Sequence, residues 1–373
     1  MTSETGAEGA GGQGEVMQIA DLDAAFDWQA DHAAQNGAPG TARVVLAMKQ
    51  VARGDTATGR RMASWPGLTL KDAVPLRLAG GLHHLLLTGE DARLALVYSG
   101  DITDQDEVDR RVAALVEAHD QRLLGWLAGP PQTNEAGRAA SIMAGLLWLA
   151  RRVHPRFELF ELGVSAGVLT MIERYRFALG NVAVGPEDSP MRIAPEWRGE
   201  SGPPPPPRDF AILEVTGCDV APIDLTDDAS ALRLKSYVWP DAPGRMERIE
   251  AAIALARTEP PDLRRQDAAD FASERLARPQ AQGTTRAMFH SIMWQYMPAS
   301  SQNAITAAFE AAGERATPQR PLAWIALETD PATFRHELKV RYWNGSAQDG
   351  GTHLLSHAHP HGAWVEWAGD APQ

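Results

Sequence analysis

The segment at 157–167, FELFELGVSAG, carries the residue types with the clearest chemistry in the chain. An apolar run ends in Glu161 and is followed by small residues, a pattern typical of a strand that turns into a helix N-terminus. Backbone N–H groups and the helix dipole can bind a polar or anionic ligand there. The same residues contain Gly163-x-Ser165-x-Gly167, which matches the nucleophile elbow of α/β-hydrolases. The segment therefore predicts either a nucleotide-type site or a nucleophilic serine.

A serine hydrolase would need a histidine later in the chain, and His357, His359 and His361 follow near the C-terminus. In that fold, several strands and an oxyanion-hole loop also precede the nucleophile. The residues before position 157 instead have mostly helical spacing of apolar side chains. We therefore favour a ligand-binding turn in which Ser165 is a small residue, and we keep a serine hydrolase as the alternative.

Acidic residues follow the next two predicted strands. Asp219, in GCDVAPIDL, ends the second strand, where a carboxylate can accept hydrogen bonds from both vicinal hydroxyls of a ribose. Asp267, in RQDAADF, follows the third strand and is placed to reach an adenine. The distance from the turn to Asp219 exceeds the roughly 20 residues that are usual, and a proline-rich insertion at about 180–208 supplies the extra length. This order of groups predicts a nucleotide-type site.

The elements that must position these groups begin with helices. The chain has 373 residues, of which 44% are hydrophobic, so it can form a large buried core in one or two domains. Apolar residues recur at intervals of three and four within 42–51, 74–87 and 108–127. We predict a disordered tail at 1–18 and an all-helical N-terminal domain at 19–153.

From residue 154 onward, strand and helix patterns alternate. Strands are predicted at 157–162, 209–216, 262–265, within 285–294, and at 321–327, 338–343 and 363–367. Helices are predicted at 168–177, 227–237, 245–257, 271–276 and 300–312. The alternation predicts an α/β domain at 154–373 with a Rossmann-like, doubly wound sheet, interrupted by a loop or irregular hairpin at about 180–208.

Charge and cysteine content limit the partners. A net charge of −13 argues against a nucleic-acid backbone, because such a partner calls for clustered Lys and Arg. The one cysteine, Cys218, fits a reducing cytoplasm without disulfides. No apolar run approaches the roughly 20 residues that span a bilayer, and the first residues do not resemble a signal peptide. We expect a cytoplasmic protein that acts on a small molecule.

Two further groups of polar residues could contact a substrate. A helix is predicted to begin with Asn134 as its N-cap, and Arg138 is the polar side chain in its first turn. Near the C-terminus, His359 and His361 would share one face of an extended chain, as in a metal site. Pro360 interrupts that geometry, and no cysteine or carboxylate cluster completes the site. We expect no metal there, and place both histidines beside the acceptor pocket or in structural hydrogen bonds.

Several segments resemble known families. ELGVSAG, GCDVAPIDL and RQDAADF, in this order, resemble the first three motifs of S-adenosylmethionine-dependent methyltransferases with a Rossmann-like sheet. A longer set resembles an uncharacterised bacterial family known only as a domain of unknown function; its segments are QTNEAGR at 132–138, ELGVSAG, EDSPMRIAPEWRG at 187–199, VWPD at 238–241, FHSIMWQYMP at 289–298 and HPHGAWVEW at 359–367. This second resemblance covers nearly the whole chain from residue 20.

The first resemblance implies S-adenosylmethionine as cofactor and a methyltransferase acting on a small molecule. The residues that it implies in cofactor binding are Glu161, Gly163, Ser165 and Gly167 at the methionine moiety and the turn, Asp219 at the ribose and Asp267 at the adenine amine. It also implies a substrate-facing role for His290, after the fourth strand, as the first candidate base; a histidine held by structural hydrogen bonds fits equally. A serine hydrolase and a non-catalytic cofactor-binding or scaffold protein remain the alternatives.

Overall fold

The computed structural model of the protein describes residues 21–66, 72–346 and 350–369. The predicted tail at 1–18 lies outside the described residues. Within the described ranges, no helix combines the length and the apolar character needed to cross a bilayer.

The described chain before residue 128 is helical. Its helices are α1 (Leu22–Gln35), α2 (Pro39–Arg53), α3 (Ala57–Ala63), α4 (Val74–Leu87), α5 (Ala95–Tyr98), α6 (Gln105–Ala118) and α7 (Asp120–Leu124), followed by a 3₁₀ turn, Gly125–Leu127. The predicted helices at 42–51 and 74–87 are confirmed as parts of α2 and α4. The helix predicted at 108–127 is divided at His119, and Asp120 beyond the break accepts the first N–H groups of α3 at 2.7 and 2.8 Å.

A segment from far along the chain completes this helical region. Asp241 accepts hydrogen bonds from the backbone N–H groups of Gly40 (2.6 Å) and Thr41 (3.2 Å) at the start of α2. Trp239 and Ala242 are buried in the apolar core that these helices share. The VWPD segment thus joins the helical region to the rest of the molecule.

The rest of the chain is organised around a nine-stranded, mostly parallel sheet. The strands are β1 (Arg156–Leu162), β2 (Arg176–Leu179), β3 (Val182–Val184), β4 (Arg192–Ile193), β5 (Glu196–Arg198), β6 (Ala211–Asp219), β7 (Asp262–Arg265), β8 (Thr285–Ser291), β9 (Leu322–Thr329), β10 (His336–Trp343), β11 (Thr352–Ala358) and β12 (Trp364–Trp367). The large sheet has the order β5-β12-β11-β10-β9-β8-β1-β6-β7, and β3-β2-β4 form a small second sheet. Strands β7, β6, β1, β8 and β9 are parallel, whereas β9 to β12 form an antiparallel meander. The protein is therefore a mixed α/β protein.

Helices cover both faces of the parallel strands. They are α8 (Ala139–Leu149), α9 (Asp228–Ser236), α10 (Arg245–Thr258), α11 (Ala268–Ala277) and α12 (Ala299–Gly313). Successive side chains of a strand point to opposite faces. Accordingly, Phe157 and Leu159 share an apolar cluster with α8, α9 and α10, and Phe160 and Leu162 share another with α11 and α12. Glu161 therefore lies on the face covered by α8.

The prediction of a helix at 168–177 is wrong. The chain forms a 3₁₀ turn, Leu169–Arg174, and enters β2 at Arg176. Met171 leaves helical dihedral angles (φ −90°, ψ 18°), and the buried Tyr175 donates its hydroxyl to the carbonyl of Val168. Burial of Tyr175 ends the helical conformation, and the chain continues as strand β2.

The proline-rich insertion contains more regular structure than the sequence predicts. It holds β3, β4 and β5, and β5 pairs with β12 at the edge of the large sheet. The strand β11 is also absent from the sequence prediction, because THLLSHA lacks a regular alternation of apolar and polar residues. The antiparallel half of the sheet was thus only partly predictable.

Candidate functional site

The candidate site lies at the carboxyl ends of the parallel strands beside β1. From β1 the chain continues to β6 and β7 on one side, then returns to the other side of β1 as β8 and β9. In open α/β sheets, ligands bind outside the carboxyl ends of the strands at the point where the strand order reverses. The turn after β1 and the end of β8 meet at this point.

The turn at 163–167 rests on the end of β6. The N–H groups of Gly163 and Val164 donate to the carbonyl of Cys218 at 2.9 and 3.0 Å, and the N–H of Ser165 donates to Asp219 Oδ2 at 2.9 Å. The backbone has positive φ at Gly163 (+71°) and Ser165 (+51°). The turn is therefore held by hydrogen bonds to β6, and its serine is in a conformation that L-residues rarely adopt.

Small residues in the turn allow close packing. A Cβ on Gly163 would lie 2.9 Å from the Cε of Met293, and a Cβ on Gly167 would lie 2.7 Å from the Cδ2 of Leu263. The side chain of Met293 therefore packs directly over Gly163.

The two predicted nucleoside-binding acids lie at neighbouring strand ends. Asp219 is half-buried and accepts one backbone N–H on each oxygen, from Ser165 and Ala221, both at 2.9 Å. Asp267 is exposed and caps α11, where it accepts the N–H of Ala269 at 2.8 Å. Each carboxylate oxygen can accept a second hydrogen bond. The structure thus brings both acids to the same edge of the sheet, where each carboxylate also accepts hydrogen bonds from nearby backbone N–H groups.

Glu161 is buried at the end of β1, and its Oε2 has no hydrogen-bond partner in the described structure. Burial and the nearby Asp219 raise the pKa of Glu161 well above its usual value, and Arg138 only partly opposes this. The protonated form, which this environment favours, can both donate and accept a hydrogen bond.

His290 lies on the opposite face of the sheet from Glu161. Its Nε2 accepts a hydrogen bond from the indole N–H of Trp324 at 2.9 Å, and its Nδ1 lies 2.7 Å from Glu328 Oε1. The indole can only donate, so the ring carries its proton on Nδ1 and is neutral. Both nitrogens of the predicted base are thus engaged within the protein, which matches the structural alternative for this histidine.

Arg138 lies on the Glu161 side of the sheet, in a 3₁₀ turn that leads into α8. It is 8% exposed, its Nε donates to the carbonyl of Pro360 at 2.8 Å, and its Nη1 donates to the carbonyl of Ser291 at 3.4 Å. No carboxylate of the described residues lies within ion-pairing distance of its guanidinium. Arg138 is therefore a buried cation that connects the end of β8 with the C-terminal loop.

The residues before Arg138 contact several other segments. Asn134, predicted as the N-cap of this helix, instead accepts the N–H of Val168 at 2.7 Å beyond the Gly163 turn. The cap is Glu135, which accepts the N–H of Gly137 at 3.1 Å. The prediction for Asn134 is wrong because the chain after β1 lies close enough to use its side-chain oxygen. The QTNEAGR segment thus stabilises the chain just after the Gly163 turn through the side chain of Asn134.

Sequence reasoning missed a buried ion-pair cluster beside this segment. Glu135 Oε2 lies 2.9 Å from Arg245 Nε, and its Oε1 lies 2.8 Å from Arg248 Nε. Although burial opposes it, the two guanidinium groups lower the pKa of Glu135, which is ionised. The signal available in the sequence was the spacing of the two arginines, three apart on α10 and hence on one helix face.

Histidines from three elements cluster near Arg138. The ring of His361 lies 5.6 Å from that of His359 and 5.9 Å from that of His32 on α1, measured between centroids. Burial lowers the pKa of His359 and of His336 to about 4, and it lowers the pKa of His361 well below its usual value. Among the described residues, no group of His, Cys, Asp or Glu has metal-binding geometry. These rings are neutral imidazoles.

Ser165 does not have the surroundings of a nucleophile. Its Oγ is buried and has no hydrogen-bond partner in the described structure, so no base is positioned to take its proton. Ser165 shares with a nucleophile elbow its positive φ and its place between two glycines after a strand.

Comparison with known proteins places the chain in a family. Residues 23–367 match the family described as uncharacterized protein conserved in bacteria (DUF2332). No curated protein and no solved structure matches the chain. Because the match extends over most of its length, from α1 to β12, the protein belongs to this bacterial family.

Proposed function

We propose that the protein binds S-adenosylmethionine at the carboxyl ends of β1, β6 and β7 and transfers its methyl group to a small molecule. The strand order carries this proposal. The parallel strands β7-β6-β1-β8-β9 are the third, second, first, fourth and fifth along the chain, which is the order of a Rossmann-like sheet. That order makes the turn after β1 the expected cofactor site.

The residues at this site fit such a cofactor. Glu161 has an unpartnered, buried carboxyl oxygen beside the turn, as expected of a group that meets a polar ligand. Asp219 retains acceptor capacity for ribose hydroxyls, and Asp267 lies at the next strand end. The cradle above Gly163 is covered only by the side chain of Met293, which can adopt other rotamers.

The bound cofactor supplies an already activated sulfonium methyl group, so the protein's task is positioning and exclusion of water. Glu161, with its unpartnered Oε2, would contribute a hydrogen bond at the methionine end. Ser291 Oγ, buried and unpartnered at the end of β8, would help to orient the acceptor. The hydrogen bonds of His290 to Trp324 and Glu328 support this end of the sheet and do not favour it as the base.

Isothermal titration of the folded protein with S-adenosylmethionine tests the proposal. We expect saturable binding, weakened at least tenfold in Asp219→Asn, which loses one carboxylate oxygen at the turn. Asp224→Asn is the matched control, because Asp224 is an exposed acid in the same loop that accepts the N–H of Thr226 at 2.8 Å. No heat at millimolar ligand, with circular dichroism showing a folded protein, would overturn the proposal.

Two outcomes would point to the alternatives. Labelling of Ser165 by a fluorophosphonate probe would identify a serine hydrolase, which the Gly163-x-Ser165-x-Gly167 motif and the positive φ of Ser165 favour. Binding of S-adenosylmethionine without turnover over a broad panel of acceptors would instead identify a cofactor-binding or scaffold protein.

A further inference from the structure

We infer that the substrate is an organic acid, whose carboxylate binds between Arg138 and His361 and whose apolar body contacts exposed aromatic rings at the same edge of the sheet. The assignment of this acid as a methyl acceptor rests on the proposed function, but the binding site itself does not.

The guanidinium of Arg138 is buried without a carboxylate partner among the described residues. The acids nearby have other partners: Glu135 pairs with Arg245 and Arg248, and Glu328 Oε1 accepts the N–H of Met293 and lies 2.7 Å from His290 Nδ1. A buried cation is costly unless it is paired. An anion from outside the chain would supply the missing partner of Arg138.

Unpartnered polar atoms lie close to the same guanidinium. Both ring nitrogens of His361 are buried and have no hydrogen-bond partner in the described structure, and the same holds for Ser291 Oγ. Arg138 contacts the carbonyls of Ser291 and Pro360, the residue before His361. A neutral imidazole has one N–H donor, and a hydroxyl has another. A carboxylate would accept from both groups while it neutralises Arg138.

Exposed aromatic rings lie at the same edge of the sheet. Phe334 is 66% exposed in the loop after β9, Tyr296 is 56% exposed in the 3₁₀ turn after β8, and Trp28 is 42% exposed on α1. Trp28 stacks on His32, whose ring is next to that of His361. Large apolar groups that are exposed together often mark a ligand or partner surface. Here they indicate a ligand with an apolar or aromatic body.

The geometry at Arg138 favours a carboxylate over a phosphate ester. A phosphate monoester brings about two negative charges and three acceptor oxygens, whereas a carboxylate brings one charge and is planar. The Nε and Nη1 atoms of Arg138 already contact carbonyls, so a small planar acceptor at Nη2 suits the remaining geometry.

Binding of benzoate to the full chain, measured by isothermal titration, tests the inference. Benzamide has the same shape without the charge and should bind at least tenfold more weakly. Arg138→Gln should weaken benzoate binding at least tenfold, and Arg110→Gln, on the exposed surface of α6, should leave it unchanged. Equal binding of benzoate and benzamide, or tighter binding of inorganic phosphate, would overturn the assignment.

A second variant keeps the test decisive if Arg138→Gln does not fold. Phe334→Ala removes a mostly exposed ring and should weaken benzoate at least threefold without weakening acetate. An unchanged benzoate affinity in this variant would refute the apolar part of the site. Titration of the same preparation with S-adenosylmethionine separates the two proposals: cofactor binding without benzoate binding refutes only the acid site, and the reverse refutes only the methyltransferase.

Discussion

The backbones of Gly137 and Gly362 are in direct contact. A Cβ on Gly362 would lie 2.4 Å from the Cα of Gly137, and a Cβ on Gly137 would lie 2.9 Å from the Cα of Gly362. This contact joins the QTNEAGR segment to the HPHGAW segment, and it places Arg138 and His361 in the same neighbourhood.

We expect Gly362→Ala to destabilise the protein by more than the backbone strain at the positive φ of this residue accounts for. Gly362 has φ +72°, and a side chain there costs about 1–2 kcal/mol from backbone strain. Gly283→Ala is the matched control, since Gly283 has φ +76° and nothing within 4 Å of its Cβ position. Urea unfolding should show a clearly larger loss for Gly362→Ala; equal losses would mean that the contact with Gly137 yields without cost.

Glu135→Gln should destabilise the fold by about 3–5 kcal/mol, because it leaves the buried Arg245 and the half-buried Arg248 without their carboxylate. Glu107 also pairs with two arginines, Arg110 and Arg111, but on the surface of α6. Glu107→Gln should therefore change the urea midpoint little. A small effect of both substitutions would show that the cluster around Glu135 is accessible to water.

The stability should depend on pH through Glu161. Its pKa is raised in the folded state, so the folded protein holds this proton longer than the unfolded chain does. The resulting stability is present below the unfolded value of 4.5 and is lost as pH rises toward the folded pKa.

Glu161→Gln should therefore gain stability over the wild type as pH rises above 4.5, by about 1.4 kcal/mol for each pH unit in which the folded carboxyl stays protonated. Chemical unfolding from pH 4.5 to 8 measures this difference. Glu117→Gln, at an exposed position of α6, is the control. Parallel curves for Glu161→Gln and the wild type would show that Glu161 ionises normally.

His290 should be observed as the Nδ1–H tautomer. Trp324→Phe removes the indole donor, leaves the buried Nε2 unpartnered and should cost about 1–3 kcal/mol beyond the loss of packing. Trp343→Phe, at a buried tryptophan in the same apolar cluster, corrects for that packing loss. Long-range ¹H–¹⁵N spectra report the tautomer directly, and a proton on Nε2 would contradict the hydrogen bond from Trp324.

The central parallel strands β1, β8 and β9 could be predicted because they are largely buried on both faces and read as apolar runs. Strand β7 has its predicted bounds, and β1, β6, β8 and β9 differ by a few residues at their ends. The helix at 168–177 could not be rejected from spacing alone, because the burial of Tyr175 that ends it is a tertiary contact.

The candidate site was predictable at the level of strand ends. Glu161, Asp219 and Asp267 lie at the edge where the order of strands placed them. The face of the sheet on which each side chain lies was harder to predict, and His290 lies on the opposite face from Glu161. The partners of His290, Trp324 and Glu328, come from β9, and the sequence did not show which residues of β9 lie beside those of β8. The pairing of Glu135 with Arg245 joins residues 110 positions apart, and the spacing of Arg245 and Arg248 does not indicate which acid they meet.

The hydrogen bond between Gly40 and Asp241 spans 201 residues. At about 5–20 residues per second, a ribosome needs about 10–40 s to make that interval. During this time α2 lacks its cap, and the helical core lacks Trp239 and Ala242. The first third of the nascent chain therefore leaves the ribosome with apolar surface still uncovered, and it can complete its packing only after two of the parallel strands have been synthesised.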